Sequence, residues 1–315
     1  MLTLLKLLKD GRFHSGQALG AALGVSRSAV WKQLQHLESD LNLSIHKVRG
    51  RGYQLAAPLE LLEQEQLDSS PWPVLIHHSL DSTNAEALRA IDSGAAAPFV
   101  VTAERQTAGR GRRGRKWVSP FAENIYYSLV LRMDGGMRQL EGLSLVVGLA
   151  VLSALRAVGL SDAGLKWPND VLVGNKKIAG ILLELVGDPA DVCHVVLGIG
   201  INVNMRLASE VDQAWTSVFL ESGRLVNRNT LISRLNDSLL MYLKRHAAEG
   251  FTAIQAEWEQ NHLWQGREVS LIAGVHQVDG TVMGIDQQGA LRMSVNGEVK
   301  VYSGGELSLR LRHDS

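Results

Sequence analysis

Between Arg105 and Lys116 the chain carries six basic residues and no acid, with Gly109, Gly111 and Gly114 set among them. Glycines let backbone N–H groups approach a ligand closely. Arginines present planar, permanently charged forks that match phosphates and carboxylates. The chemistry such a loop suits is the holding of an anion. Six like charges repel, so the loop is expected to order around the anion that neutralises them. The spacing Gly109-x-Gly111-x-x-Gly114 formally matches a dinucleotide fingerprint. Arginines fill its variable positions, however, no apolar helix follows, and Trp117-Val118-Ser119-Pro120 breaks any helix that might begin. A Walker A loop is excluded because no Gly-Lys-Ser/Thr stands at the required spacing. The remaining alternative is a surface patch for nucleic acid.

Three further segments carry chemistry. Lys166-Trp-Pro-Asn-Asp170 is followed by Lys176-Lys-Ile-Ala-Gly-Ile-Leu-Leu-Glu184, with Gly174-Asn175 as a hairpin turn between them. That hairpin returns Lys177 toward Asp170. Asp81-Ser82-Thr83-Asn84 falls at a strand–helix junction, where Ser82 or Thr83 would cap the helix whether or not it also binds a ligand. Gly198-Ile-Gly-Ile-Asn202 places close-approach glycines at the end of an apolar strand. Other chemistries find no support. There is no His-Glu-x-x-His, His77-His78 lack an evident third ligand, and no Gly-x-Ser-x-Gly nucleophile elbow occurs. Cys193 is the single cysteine and sits in an apolar run, which reads as a buried inert thiol. It rules out an intrachain disulfide or a cysteine zinc cluster.

These residues need elements to position them, and the pattern suggests three segments. In residues 1–58, helices are expected over 2–9, 17–23 and 27–39, with Ser15 and Ser26 as N-caps and a tight Gly24-Val25 turn between the second and third. A short hairpin, 44–48 and 53–55, turns at Arg49-Gly-Arg-Gly52. This is a winged helix-turn-helix. Residues 1–55 hold eight basic residues against Asp10, Glu38 and Asp40, within a chain whose 32 basic and 32 acidic residues balance. Ser26, Arg27, Ser28, Trp31 and Lys32 would face base edges, and Arg49 and Arg51 would meet phosphates. A solvated basic helical bundle is the plainer alternative. Residues 59–265 alternate strand-like and helical runs, as in a mixed α/β or α+β domain built on a substantial sheet. Residues 266–315 read as short strands with a hairpin at Asn296-Gly297, a small β-barrel. The longest uncharged apolar run, Gly142 to Leu155, falls short of the roughly 20 residues of a membrane span. No signal peptide is evident, so the expected location is cytoplasmic.

Taken in order, Gly109–Trp117, Lys166–Asp170 and Lys177–Leu182 resemble the motifs of biotin protein ligases. With the winged helix before them and Gly304-Gly-Glu306 near the end, nearly the whole chain resembles the bifunctional biotin ligase and biotin operon repressors. The resemblance implies a class II biotin/lipoate ligase catalytic domain and an SH3-like C-terminal barrel. It implies that ATP and biotin, with Mg²⁺, give biotinyl-5′-AMP. The biotinyl group then passes to a lysine of the biotin carboxyl carrier protein of acetyl-CoA carboxylase. It also implies an adenylate-bound homodimer on operator DNA, with biotinyl-5′-AMP as corepressor. Ser82, Thr83, Asn84, Gln106, Arg110, Gly111, Arg112 and Lys177 would hold biotin. Arg115, Trp117, Asn202 and Trp215 would hold the adenylate. Lys177, Arg110 and Arg112 would serve catalysis. Asp170 would orient or deprotonate the acceptor amine, or else only order its hairpin. A sensor without catalysis, a lipoate ligase and a DNA regulator with an unrelated enzyme domain are the competing readings.

Overall fold

Ser15 and Ser26 begin two helices for the reason their chemistry suggests. Their hydroxyls accept the backbone N–H groups of Ala18 and Ala29 at 3.0 and 3.2 Å, satisfying donors that a helix start leaves open. The structure, a computed structural model, describes residues 2–57, 59–134, 137–188, 192–304 and 307–312. Pro58, the last residue of the first expected segment, and Gly305 and Glu306 lie outside the described residues. The chain divides into two compact units: Met1–Leu62 with Pro120–Ala122, and Glu63–Ser119 with Glu123–Ser315.

The first unit holds α1 (Leu2–Leu8), α2 (Gly16–Leu23) and α3 (Arg27–Leu41), then the antiparallel pair β1 (Ile45–Val48) and β2 (Gly52–Leu55). Gly24, at φ 65°, ends α2 in the left-handed conformation. A third partner joins the wing, since His14 and Tyr53 exchange backbone hydrogen bonds of 2.8 and 2.9 Å. Gly52 is required at that crossing, because its φ is 103° and a Cβ would collide with the His14 carbonyl. Leu4, Leu5, Leu8, Leu19, Val30, Leu34 and Leu37 form the core, joined by Phe121 and Ala122. With Val30, Leu34 and Leu37 inward, α3 leaves Ser28, Trp31 and Lys32 exposed.

The second unit runs α4 (Gln64–Leu67), β3 (Val74–His77), α5 (Thr83–Asp92), β4 (Phe99–Ala103), β5 (Ile125–Met133), α6 (Leu143–Ala157), β6 (Ala163–Lys166), β7 (Asp170–Val173), β8 (Lys176–Gly187) and β9 (Cys193–Ile201). It continues with α7 (Val218–Ser222), α8 (Arg228–Glu249), α9 (Thr252–Gln260), β10 (Glu268–Ala273), β11 (His276–Ile285), β12 (Leu291–Val295), β13 (Glu298–Tyr302) and β14 (Leu307–Leu311). Seven strands make one sheet in the order β3-β4-β5-β9-β8-β7-β6, parallel only between β3 and β4. The mixed α/β expectation holds. β6 is an addition, since Ala-Gly-Leu-Lys is too short and too weakly patterned to announce a strand.

α6 is apolar almost all round and buried, against α8 and the β6–β8 face of the sheet. At the start of α8, Arg228 pairs with Glu104 at 2.7 Å, with both side chains sealed from solvent. The strands 266–312 belong to this same unit. They form a five-stranded antiparallel sheet, β13-β12-β11-β10-β14, with the expected Asn296-Gly297 hairpin at positive φ. Among the described residues the sheet has two edges, β13 and β14, and is not a closed barrel.

Candidate active site

One cavity of about 350 Å³ gathers most of the residues singled out above. Ser82, Thr83, Asn84, Gln106, Arg110, Gly111, Arg112, Arg115, Trp117, Asp170 and Lys177 all line it, although they come from three separate stretches of chain. The start of α5, with its N-cap position, supplies the first three. Ser82 occupies the N-cap position, yet its side chain makes no capping hydrogen bond. Capping therefore does not account for its hydroxyl.

The basic loop closes on itself. Trp117 N–H donates to the Gly109 carbonyl at 2.9 Å, and Gly111 N–H to that of Arg115 at 2.7 Å. A short 3₁₀ turn, Arg112–Gly114, forms its tip. Gly109 has no room for a side chain, since a Cβ would lie 2.5 Å from the Trp117 carbonyl and 2.7 Å from Ser119 Oγ. The Trp117 ring packs against Gly200, where a Cβ would lie 2.5 Å from it. Asn84 is seated the same way on Gly198. The two glycines of β9 are thus the floor on which two cavity side chains rest.

Beneath the cavity runs a continuous polar chain. Gln106 Nε2 donates to Ser119 Oγ at 3.0 Å, and its Oε1 accepts Thr83 N–H at 2.9 Å. Thr83 Oγ1 lies 2.8 Å from Ser128 Oγ, which donates to Asn84 Oδ1 at 2.6 Å. Asn84 Nδ2 donates to Glu184 at 2.6 Å, and Arg110 Nη2 reaches the same oxygen at 3.1 Å. Ser128 escapes a motif search, and Glu184 closes the Lys176–Glu184 motif without a role that the sequence assigns. Their signal is a polar residue inside an otherwise apolar strand run, Tyr126–Val130 and Ile181–Val186.

At the other end, Asp170 accepts Lys177 Nζ at 2.6 Å and lies 3.6 Å from Lys166 Nζ. Burial alone would raise the Asp170 carboxyl, but Lys177, Lys166 and Arg112 together hold it below the usual carboxylate range. Burial pulls Lys166 down, with Asp170 opposing. Lys166 also stands 4.8 Å above the Trp264 ring. Arg112 is lowered by burial too, and donates to Asn169 Oδ1 at 2.8 Å. Asn169 stands in the Lys166–Asp170 motif without a role that the sequence assigns. It ties Arg112 to β8 through its own amide, which donates to the Ile181 carbonyl at 2.5 Å. Lys176 points elsewhere and pairs with Glu221 at 2.7 Å.

Asn202 and Trp215 do not line the cavity. Asn202 Nδ2 donates to the Thr216 carbonyl at 3.0 Å, and Trp215 forms a bridge beside Lys177. Both brace the backbone around Lys177. Among the described residues no three of His, Cys, Asp and Glu stand together as a metal-binding group. In the first unit Ser26 caps α3, while Arg27, Ser28, Trp31, Lys32 and Arg49 are exposed. Arg51 is exposed but stacks over Phe13 at 4.4 Å, an orientation the sequence does not announce.

Comparison with known proteins bears on both units. The biotin/lipoate A/B protein ligase family model matches residues 77–202, and an HTH domain model matches residues 1–54. The chain is 41% identical to the bifunctional ligase/repressor BirA of Salmonella typhimurium, covering 98% of this chain and 97% of that one. The chain belongs to the bifunctional biotin ligase/repressor family. Another member, BirA of Bacillus subtilis, is 33% identical over 92% of each chain. In structure the chain is similar to the biotin protein ligase of Aquifex aeolicus solved in complex with biotin and ATP, at 30% identity and a TM-score of 0.67. That likeness covers 76% of this chain and 99% of the other. Membership joins a biotin ligase unit to a helix-turn-helix unit in one chain. No helix among the described residues is long and apolar enough to cross a membrane.

Proposed function

We propose that this chain activates biotin with ATP and transfers it to a carrier lysine, and that its first unit represses transcription with biotinyl-5′-AMP as corepressor. The observation that carries the reading is the convergence of the loop arginines, Lys177, Asp170 and the Ser82–Asn84 junction on one cavity. In the first step a biotin carboxylate oxygen attacks the α-phosphorus of ATP. The bond to the β-phosphate oxygen breaks, and pyrophosphate leaves. Two anions must meet for this, so charge has to be neutralised. Arg110, Arg112 and Arg115 supply cationic charge along the wall. Lys177 supplies an ammonium where charge develops between the acyl and phosphoryl groups. Ser82, Thr83, Asn84 and Gln106 hold the biotin ring system, with Gly111 giving backbone access. Trp117 closes the adenylate side, with Asn202 and Trp215 behind it.

In the second step the carrier lysine, as a free amine, attacks the acyl carbon and AMP departs. Asp170 orients that amine rather than deprotonating it. A carboxylate held below its ordinary range by two lysines is a poor proton acceptor for an ammonium. Mg²⁺ belongs to this scheme as part of the substrate Mg–ATP, consistent with phosphate oxygens rather than a protein cage as its ligands.

On the regulatory side, Ser26, Arg27, Ser28, Trp31 and Lys32 would read base edges, with Arg49 and Arg51 on phosphates. Adenylate binding would favour a homodimer that matches a two-fold operator. The test of the enzymatic reading is the intact mass of a biotin carboxyl carrier domain incubated with this protein, Mg–ATP and biotin. A single biotinyl increment that needs every component supports it. No increment on a competent acceptor, together with no adenylate, overturns it.

A further inference from the structure

Glu184 lies on β8 behind the cavity wall and does not line it. One of its oxygens nevertheless accepts from two residues that do, Asn84 Nδ2 at 2.6 Å and Arg110 Nη2 at 3.1 Å. It is the sole charge in the apolar run Ile181–Val186, so strand packing does not explain it.

Its effect on Asn84 follows from hydrogen-bond chemistry. The Asn84 amide is almost fully buried and pressed against Gly198. An ionised carboxylate accepts only, so it holds the NH₂ end of that amide toward itself. The Oδ1 end is left to the hydroxyl of Ser128 at 2.6 Å. Remove the carboxylate and the NH₂ end keeps only the Leu182 carbonyl, stretched to 3.5 Å. Its effect on Arg110 is mechanical. The loop 109–117 is tied across its base by Gln106 and Ser119 and at its tip by Arg112 to Asn169, while Arg110 is held by Glu184. A single carboxylate therefore sets the polarity of one cavity wall and the position of another.

We propose that Glu184 is a positioning residue for biotin recognition, acting through Asn84 and Arg110 without touching the ligand. This rests on the reading of the cavity as the biotin site.

The test is biotin-dependent ATP–pyrophosphate exchange by the full chain, with KM for biotin, KM for ATP and kcat measured separately. Glu184→Met removes both bonds. Glu184→Gln keeps an acceptor for Asn84 and removes the charge facing Arg110. Loss of one charge-assisted hydrogen bond corresponds to about a tenfold change in KM. The expected result is a biotin KM raised about tenfold in Glu184→Met and roughly threefold in Glu184→Gln, with KM for ATP within about twofold of the parent. In protein already carrying Asn84→Ala and Arg110→Ala, Glu184→Met should add less than about twofold, because its route to the ligand is gone. A biotin KM unchanged in both variants overturns the proposal. So does a full multiplicative effect in the doubly substituted background, or a loss confined to kcat. If Glu184→Met does not fold, Glu184→Gln read with and without Arg110→Ala decides by the same criterion. Failure of the parent protein to catalyse any exchange would remove the biotin reading itself, an outcome separable from a parent that works and variants that match it.

Discussion

Lys177 Nζ lies 2.6 Å from Asp170 Oδ1, although the two residues are not paired across their hairpin. Asp170 faces Gly180, and Lys177 faces Leu172. The register slips by one residue between Val171 and Leu172, so Ile178 is an extra residue on β8. Side chains alternate across a strand, and one extra residue therefore exchanges faces. Lys177 arrives on the face of Asp170, and Lys176 is turned out to Glu221. The bulge chooses which of two adjacent lysines enters the site.

Asp170→Asn should slow transfer from preformed biotinyl-5′-AMP to the carrier by ~10²-fold, since an oriented amine is lost at the acyl carbon. Single-turnover transfer measures this directly. Transfer at the parental rate would confine Asp170 to ordering its hairpin.

Gly200→Ala should disable the site while leaving the fold in place. The added methyl must displace the Trp117 ring. A shift of about 1 Å in a cavity wall costs on the order of 10²-fold in rate. Circular dichroism and adenylate formation, measured on the same sample, separate the two effects.

How much of this was legible beforehand depends on the kind of signal. The helices of the first unit announce themselves through Ser15, Gly24 and Ser26, because capping is local chemistry. The loop 105–116 is legible because charge and glycine coincide there. The β8 bulge is not, since register is decided by pairing across the sheet rather than by any residue in it. The choice of Lys177 came from a motif, and the bulge supplies its physical cause. Ser128 is missed, and Asn169 and Glu184 stand in motifs without assigned roles, because each acts through another side chain. The open edges of the C-terminal sheet were also hidden, since short alternating strands are compatible with a sheet or a barrel.

His262 offers a pH test. It is buried against Trp258, with ring centroids 4.7 Å apart, and close to Lys166, and burial depresses it to about 4. Its folded value lies below its unfolded one near 6.5, so the unfolded chain binds the extra proton first as pH falls. Stability should decline between about pH 6.5 and 4, by up to ~3 kcal/mol from this group. In His262→Asn that part of the acid dependence should vanish. Parallel unfolding curves for parent and variant across this window would contradict the assignment.

Breaking the sealed Arg228–Glu104 pair should be costly. Arg228→Met leaves Glu104 buried opposite an apolar side chain, with an expected loss of about 3–5 kcal/mol. Changing both residues to apolar ones of similar volume should recover most of it. Denaturant unfolding of the single and double variants checks the prediction.

The most direct test of the central claim, that the cavity between the arginine loop and the β7–β8 hairpin forms the acyl-adenylate, is biotin-dependent ATP–pyrophosphate exchange with Lys177→Gln and Lys176→Gln side by side. Removing an electrostatic donor at the reacting centre should lower exchange by ~10²–10³-fold in Lys177→Gln. Removing the exposed partner of Glu221 should change it by less than about threefold. Equal losses in both variants, or parental exchange in Lys177→Gln, would contradict the account.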